Sequence, residues 1–133
     1  MKQAELKKIT SKCVDRITNG KFCSAPYKHL VIDNFLPKDL AICCLKSFPS
    51  LDVNTWEHEN DKDIEVKSRT TWDSEFDIPE NIIDVVRILN SSLVMKAFSQ
   101  VFDIHKLVPD AYFSGGGLNV TQRGGLLCNP PKN

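Results

Sequence analysis

Apolar residues recur at helical spacing in four stretches of this sequence. The first predicts an amphipathic helix over residues 2–18, for which Asn19-Gly20 supplies a stop signal. A second helix is predicted to begin at Pro37 and to end before Pro49, because proline suits the start of a helix and cannot continue one. Pro79 begins a third helix, and Ser91 can cap a fourth. The third and fourth helices have wide apolar stripes, so they are expected to carry most of the core.

Strand patterns lie between and after these helices. Residues 27–33 have β-branched character, and residues 64–72 begin with an alternation of apolar and polar side chains. Residues 111–113 and 118–122 are candidate strands on either side of three consecutive glycines. The polar, acidic stretch 52–63 is typical of a surface loop. These elements together indicate a mixed α+β protein.

The composition of the chain argues against several classes of function. The chain has 133 residues, enough for one modest core, and its 17 basic and 17 acidic side chains give a formal net charge of zero. This balance argues against binding to nucleic acid or to an anionic membrane surface. The start lacks the apolar region of a secretory signal, and no apolar run approaches the roughly 20 residues of a membrane span. We therefore expect a cytoplasmic protein.

The cysteines do not predict a disulfide framework or a zinc site. There are five of them, an odd number, and none forms a Cys-x-x-Cys pair. Without a secretory context, the sequence predicts reduced thiols. The five are Cys13, Cys23, Cys43, Cys44 and Cys128.

The three histidines do not form a metal-binding motif. None of His29, His58 and His105 is followed two residues later by Asp or Glu, and structural roles are favoured for His29 and His105. The densest group of ionisable residues is 57–63, which includes His58. Its spacing matches neither an EF-hand nor His-Glu-x-x-His, so a solvated acidic loop is favoured over a cation site. Cation binding by this loop remains the weaker alternative.

The glycine run 115–117 is the most specific local feature. It lacks the spacing of a phosphate-binding loop, and no helix pattern follows it. Glycines here are expected to permit positive φ at a bulge or a tight bend of a sheet. Arg123-Gly124-Gly125 is a single occurrence and carries little indication of RNA binding.

From about Tyr27 onward, the chain resembles the N-terminal half of small 2-oxoglutarate/Fe(II)-dependent oxygenases of the prolyl 4-hydroxylase-like branch. Three segments carry the resemblance: an opening strand at 29–36, a helix pair at 79–102, and the run 115–127. In the last, Gly-Gly-Gly-Leu is followed by Arg-Gly-Gly-Leu-Leu. The resemblance implies an N-terminal helical layer and the first strands of a double-stranded β-helix (jelly-roll) oxygenase. It also implies that the full-length parent enzyme is a dioxygenase that hydroxylates its substrate with Fe(II) and 2-oxoglutarate.

The tail Cys128–Asn133 departs from this family. The first His-x-Asp metal ligands should fall near Pro130 and Lys132, and the tail contains neither His nor Asp. Proline also removes hydrogen-bond donors from a strand that should be central. No catalytic, cofactor-binding or metal residue is therefore carried over, and this chain is expected to bind neither iron nor 2-oxoglutarate.

Two hypotheses follow from this departure. In the first, residues 1–133 form a single partial domain of a truncated, inactive oxygenase, with a helix and loop at 1–24 and the oxygenase-like half at 25–133. The incomplete barrel would then leave unpaired strand edges open to self-association. In the second, the chain is a non-catalytic protein-interaction module that keeps the helical layer.

Overall fold

The computed structural model describes residues 1–53, 55–61 and 65–125. The chain divides into two compact units, and each is described by itself. The helical unit comprises Met1–Phe48 and Pro79–Pro109. The strand unit comprises Pro49–Ile78 and the described residues from Asp110 onward.

Four helices build the helical unit, as their apolar spacing predicts. They are α1 (Gln3–Thr18), α2 (Lys38–Lys46), α3 (Ile82–Leu89) and α4 (Ser92–Phe102). The predicted stop after α1 is confirmed, because Asn19 forms its C-cap and donates its backbone N–H to the Asp15 carbonyl. The predicted start at Pro37 is confirmed to within one residue, since Pro37 is the N-cap of α2.

All four helices contribute to one hydrophobic core. Cys13 and Ile17 of α1 are completely buried, and so are Ile88 of α3 and Val94 of α4. Leu40 and Ala97 complete the buried cluster. The prediction that α3 and α4 carry most of the core therefore needs correction, because α1 supplies two of its four fully buried members. Its stripe at 3.6-residue spacing packs against both helices.

A short hairpin accompanies these helices. Strands β1 (Lys21–Cys23) and β2 (His29–Val31) pair antiparallel, with Lys21 opposite Val31 and Cys23 opposite His29. The predicted strand at 27–33 is confirmed in its central three residues. The sequence did not predict β1, because three residues are too short to show an alternating pattern.

The strand unit contains one antiparallel sheet of three strands. Strands β3 (Trp56–Asp61), β4 (Glu65–Thr70) and β5 (Asn119–Val120) lie in the order β3-β4-β5. The predicted loop at 52–63 is wrong where β3 lies, because pairing of its six residues with β4 outweighs the low strand propensity of those that follow Trp56. The predicted strand at 111–113 is also wrong. Asp110 and the positive φ of Phe113 fold those residues into a turn.

The fold class is mixed α+β with small antiparallel sheets. The described residues contain no closed barrel. Across the same residues, every helix is too short or too polar to cross a membrane.

Ser91 caps α4, as predicted, and its loss should destabilise the helical unit. Its Oγ accepts a hydrogen bond from the Val94 backbone N–H at 3.3 Å and donates one to the Ile88 carbonyl at 2.7 Å. Ser91→Ala removes both bonds and should lower the free energy of unfolding by about 1 kcal/mol. Chemical denaturation measures this loss. Ser92→Ala is the matched control, because Ser92 is exposed and is not the cap; an equal loss in both variants contradicts the capping role.

Candidate functional site

The segment that leads into β5 is the candidate functional site, because it contains the glycine run. Leu118, just before β5, is joined to the end of β4 by two hydrogen bonds. Thr70 donates its backbone N–H to the Leu118 carbonyl at 2.9 Å, and the Leu118 N–H donates to Thr70 Oγ1 at 2.8 Å. Thr70 is only 1% exposed. A buried threonine thus uses both backbone and side chain to hold the start of β5.

Gly117 faces this threonine at very close range. A Cβ at position 117 would lie 3.0 Å from Thr70 Oγ1 and 3.1 Å from the Thr70 carbonyl oxygen. By contrast, a Cβ at Gly116 would meet nothing within 4 Å. A side chain at 117 would require Thr70 to shift by a few tenths of an ångström, at the residue that holds Leu118 by two hydrogen bonds.

The prediction of positive φ in the glycine run is wrong, because Gly115, Gly116 and Gly117 do not adopt it. In the segment 110–125, the residues that do are Phe113 (φ 55°) and Gly124 (φ 87°). A bend does lie at the start of the run, at Ser114 and Gly115, where the Gly116 N–H donates to the Phe113 carbonyl at 3.3 Å. Close backbone approach, rather than a left-handed conformation, explains the third glycine.

Asp110 organises the turn that precedes the glycines. Its carboxylate accepts hydrogen bonds from the Gly115 N–H at 3.0 Å, the Ser114 hydroxyl at 2.9 Å and the Tyr112 N–H at 3.1 Å. These bonds lower the pKa of Asp110, with the Gly115 bond as the largest cause, followed by Ser114. An aspartate that bonds to backbone groups of the following residues is typical of a turn.

Protonation of Asp110 should loosen this turn in acid. Because the pKa of Asp110 is lowered in the folded state, the carboxylate stabilises the turn at neutral pH, and this contribution disappears as the pH falls through the folded-state pKa. The Gly115 amide resonance should therefore titrate with a midpoint below about 3.9, the ordinary aspartate value. Asp110→Ala should abolish this titration. A midpoint at or above the ordinary value contradicts the assignment.

Polar side chains pair across β3 and β4. His58 Nδ1 and Ser68 Oγ are 2.6 Å apart, and Glu57 forms an ion pair with Arg69 at 3.7 Å. Both contacts join residues that lie directly opposite each other in the sheet. The Glu57–Arg69 pair agrees with the rule that opposite charges on facing residues stabilise antiparallel strands. Lys62 and Asp63 of the predicted acidic cluster lie outside the described residues.

The described histidines do not fit an iron centre. His29 Nδ1 lies 2.8 Å from the Tyr27 carbonyl oxygen, His58 is at hydrogen-bond distance from Ser68, and His105 is exposed beyond the end of α4. Within the described part of the chain, no group of three or more His, Cys, Asp or Glu side chains is placed to hold a metal ion.

The four described cysteines are free thiols, as predicted. Burial raises the pKa of the Cys13 thiol, although the Arg16 guanidinium opposes this effect. Burial is also the main cause that raises the pKa of Cys44. Raised pKa values make both thiols weak nucleophiles. Cys128 lies outside the described residues.

The resemblance to the oxygenases also implies that residues 123–127 line or border the mouth of the barrel, with Tyr112 as a candidate to face its pocket. Tyr112 is 82% exposed, and Arg123 is exposed as well. Leu126 and Leu127 lie outside the described residues. Sequence reasoning missed Thr70, which no local pattern marks, and Asp110, which its turn chemistry could have revealed. It also missed Trp72, whose buried indole N–H has no hydrogen-bond partner among the described residues.

Comparison with known proteins gives no counterpart for this arrangement. No protein-family model, no curated protein and no solved structure matches the chain. The resemblance of residues 115–127 to an oxygenase strand stays a prediction.

Proposed function

We propose that this chain is the N-terminal part of a 2-oxoglutarate/Fe(II)-dependent oxygenase of the prolyl 4-hydroxylase-like type. In this proposal it supplies the helical layer and the first strands of the jelly roll and has no hydroxylase activity as it stands. One observation carries the proposal: the run Gly-Gly-Gly-Leu leads directly into a strand, and its third glycine lies against the neighbouring strand. A phosphate-binding loop would instead lead into a helix.

The order of elements also supports this proposal. Along the sequence, α3 and α4 lie between β4 and β5. These two strands are nevertheless neighbours in one antiparallel sheet. Among the described residues, β5 pairs with β4 alone. Its other edge is therefore available for the next strand of a larger sheet. In the proposed parent enzyme, the His-x-Asp strand would follow the segment that begins at Arg123.

In this proposal, Thr70 and Asp110 position the segment that contains the glycines and take no part in catalysis. Thr70 and Asp110 hold the two ends of the segment that contains the glycines. A site on rigid, hydrogen-bonded elements keeps its ligands in place more accurately than a site on free loops. In the parent enzyme, the segment from Gly117 onward would set the direction in which the metal-binding strand leaves the sheet.

Sequencing the transcript beyond the Asn133 codon tests the proposal. We expect one of the three reading frames to encode His-x-Asp close to this codon, followed by alternating strand-like sequence. The protein read in that frame should convert 2-oxoglutarate to succinate with Fe(II), and replacing the new histidine by alanine should abolish this conversion. The absence of such a motif from all three frames overturns the proposal.

The second candidate function is a non-catalytic interaction module, and exposed apolar side chains favour it. Phe76 is 89% exposed, Leu45 74% and Tyr27 69%. Apolar side chains mark a partner-binding surface where they form a contiguous patch. Size-exclusion chromatography separates the two candidates. A discrete, stable monomer or dimer favours the module, whereas aggregation favours the oxygenase fragment.

A further inference from the structure

One cleft of the helical unit is lined by two cationic side chains and by no carboxylate. It has a volume of about 340 Å³ and lies between the first half of α1, the end of α3 and the start of α4. Its cations are Lys7 of α1 and Arg87 of α3. Clefts of about 300–1,000 Å³ are the usual size for small-molecule sites. A cleft lined by charges of one sign concentrates ions of the opposite sign, so this one favours a small anion.

The charge of Lys7 is not compensated within the described part of the chain. Its side chain is exposed, and no described carboxylate forms an ion pair with its ammonium group. An ammonium group has three N–H donors and no acceptor. These donors are therefore available to an anion in the cleft.

The charge of Arg87 is compensated only in part. Its Nη1 lies 3.4 Å from one carboxylate oxygen of Asp84, and the Met1 amino group lies 3.7 Å from the other. One carboxylate thus faces two cations, which leaves one positive charge in excess. The bond to Asp84 is also the only hydrogen bond from the guanidinium group to a described residue. Since a guanidinium group has five N–H donors, most of them remain for a ligand.

Neutral side chains complete the wall of the cleft. Gln3 and Ser92 are exposed and polar, and their amide and hydroxyl groups can donate hydrogen bonds to an anion. Leu6 and Leu93 also line the cleft and offer an apolar surface to the organic part of a ligand. The cleft therefore combines cations, neutral donors and apolar contacts.

We propose that this cleft binds a small phosphate dianion. Arg87 donates two parallel N–H bonds to phosphate oxygens, because the planar guanidinium group matches the geometry of phosphate. Lys7 donates to the same group from α1. A phosphate monoester carries a charge of about −1.5 to −2 at neutral pH, which the two cations balance. This inference is independent of the proposed oxygenase origin, because every residue involved belongs to the helical unit.

Inorganic phosphate and organic phosphate monoesters share this chemistry. Two probes separate the sources: inorganic phosphate, and phenyl phosphate, whose ring can lie along Leu6 and Leu93. Tighter binding of phenyl phosphate assigns the site to monoesters. Equal or tighter binding of inorganic phosphate assigns it to the free ion.

Isothermal titration calorimetry of the full chain at constant ionic strength measures both affinities. Saturable binding to one site is expected, and Lys7→Gln should weaken it by about fivefold, since an exposed charge pair is lost. Lys12→Gln is the matched control, because Lys12 is another exposed lysine of α1 that does not line this cleft. It should bind like the unaltered chain. Equal affinity in the two variants overturns the proposal, and so does the absence of saturable binding of both probes at millimolar concentration.

A second pair of variants tests the same cleft without removing a cation. Ser92→Glu places a carboxylate in the cleft, where it should pair with Lys7 and Arg87 and abolish binding. Gln100→Glu is the matched control, because Gln100 is also exposed on α4, gains the same charge and does not line the cleft. It should retain the affinity of the unaltered chain. Equal affinity in Ser92→Glu and Gln100→Glu also overturns the proposal.

Discussion

Replacing Ile88 by alanine should lower the free energy of unfolding of the helical unit by about 2–5 kcal/mol. Ile88 lies in α3, has no exposed surface and belongs to the cluster shared by all four helices. Alanine removes apolar atoms that the fold buries and leaves a cavity that close-packed neighbours fill only in part. Chemical denaturation followed by far-UV circular dichroism, which reports mainly on the helices, measures the loss.

Leu45→Ala is the matched control for this prediction. Leu45 is also an aliphatic residue on a helix of the same unit, but 74% of it is exposed. Its replacement should change the free energy of unfolding by no more than about 0.5 kcal/mol. Similar losses in the two variants would mean that the buried cluster does not stabilise the unit, and this result contradicts the packing of Ile88.

The helices were predictable because their determinants are local. An apolar stripe at 3.6-residue spacing, a capping serine and a stop signal all lie within a few residues of one another. Ser91 illustrates this point, since its hydrogen bonds reach only Ile88 and Val94. The share of the core that α1 carries was less predictable, because it depends on which helices pack against it.

The strands were less predictable because their determinants are not local. Most residues of β3 have low strand propensity, and its extended conformation depends on pairing with β4, which includes His58 with Ser68 and Glu57 with Arg69. Such cross-strand pairs depend on tertiary context and leave no local pattern. The prediction of a strand at 111–113 was wrong for a related reason. The hydrogen bonds of Asp110 outweigh the strand propensity of Tyr112 and Phe113.

The candidate functional site was predictable in part, because it has both local and non-local determinants. The glycine run could be recognised from its sequence, but the reason for its third glycine could not, because Thr70 is 47 positions earlier in the chain. Positive φ is the usual local explanation for glycine, and the structure assigns it to Gly124 instead. A close approach to another strand can be identified only once both strands are placed.

Gly117→Ala should disrupt the pairing of β4 with the segment that leads into β5. The new Cβ would lie 3.0 Å from Thr70 Oγ1, which must shift by a few tenths of an ångström and thereby strain its hydrogen bond with Leu118. It would also lie 3.1 Å from the Thr70 carbonyl oxygen, which belongs to the backbone of β4 and moves only with that strand. Overpacking of this kind costs about 1–3 kcal/mol. Hydrogen exchange should therefore quicken by about fivefold or more at the Thr70 and Leu118 amides, since 1.4 kcal/mol is a factor of ten and 1 kcal/mol about a factor of five.

Gly116→Ala separates this steric effect from the general effect of replacing glycine. A Cβ at Gly116 meets nothing within 4 Å, and the residue does not adopt positive φ, so alanine fits there without strain. Because alanine restricts the unfolded chain, this variant should be neutral or slightly more stable. If both variants exchange like the unaltered chain, Thr70 does not approach Gly117 as closely as described, and the observation that carries the proposed oxygenase origin fails. Faster exchange in Gly117→Ala alone means that the third glycine is required by the neighbouring strand.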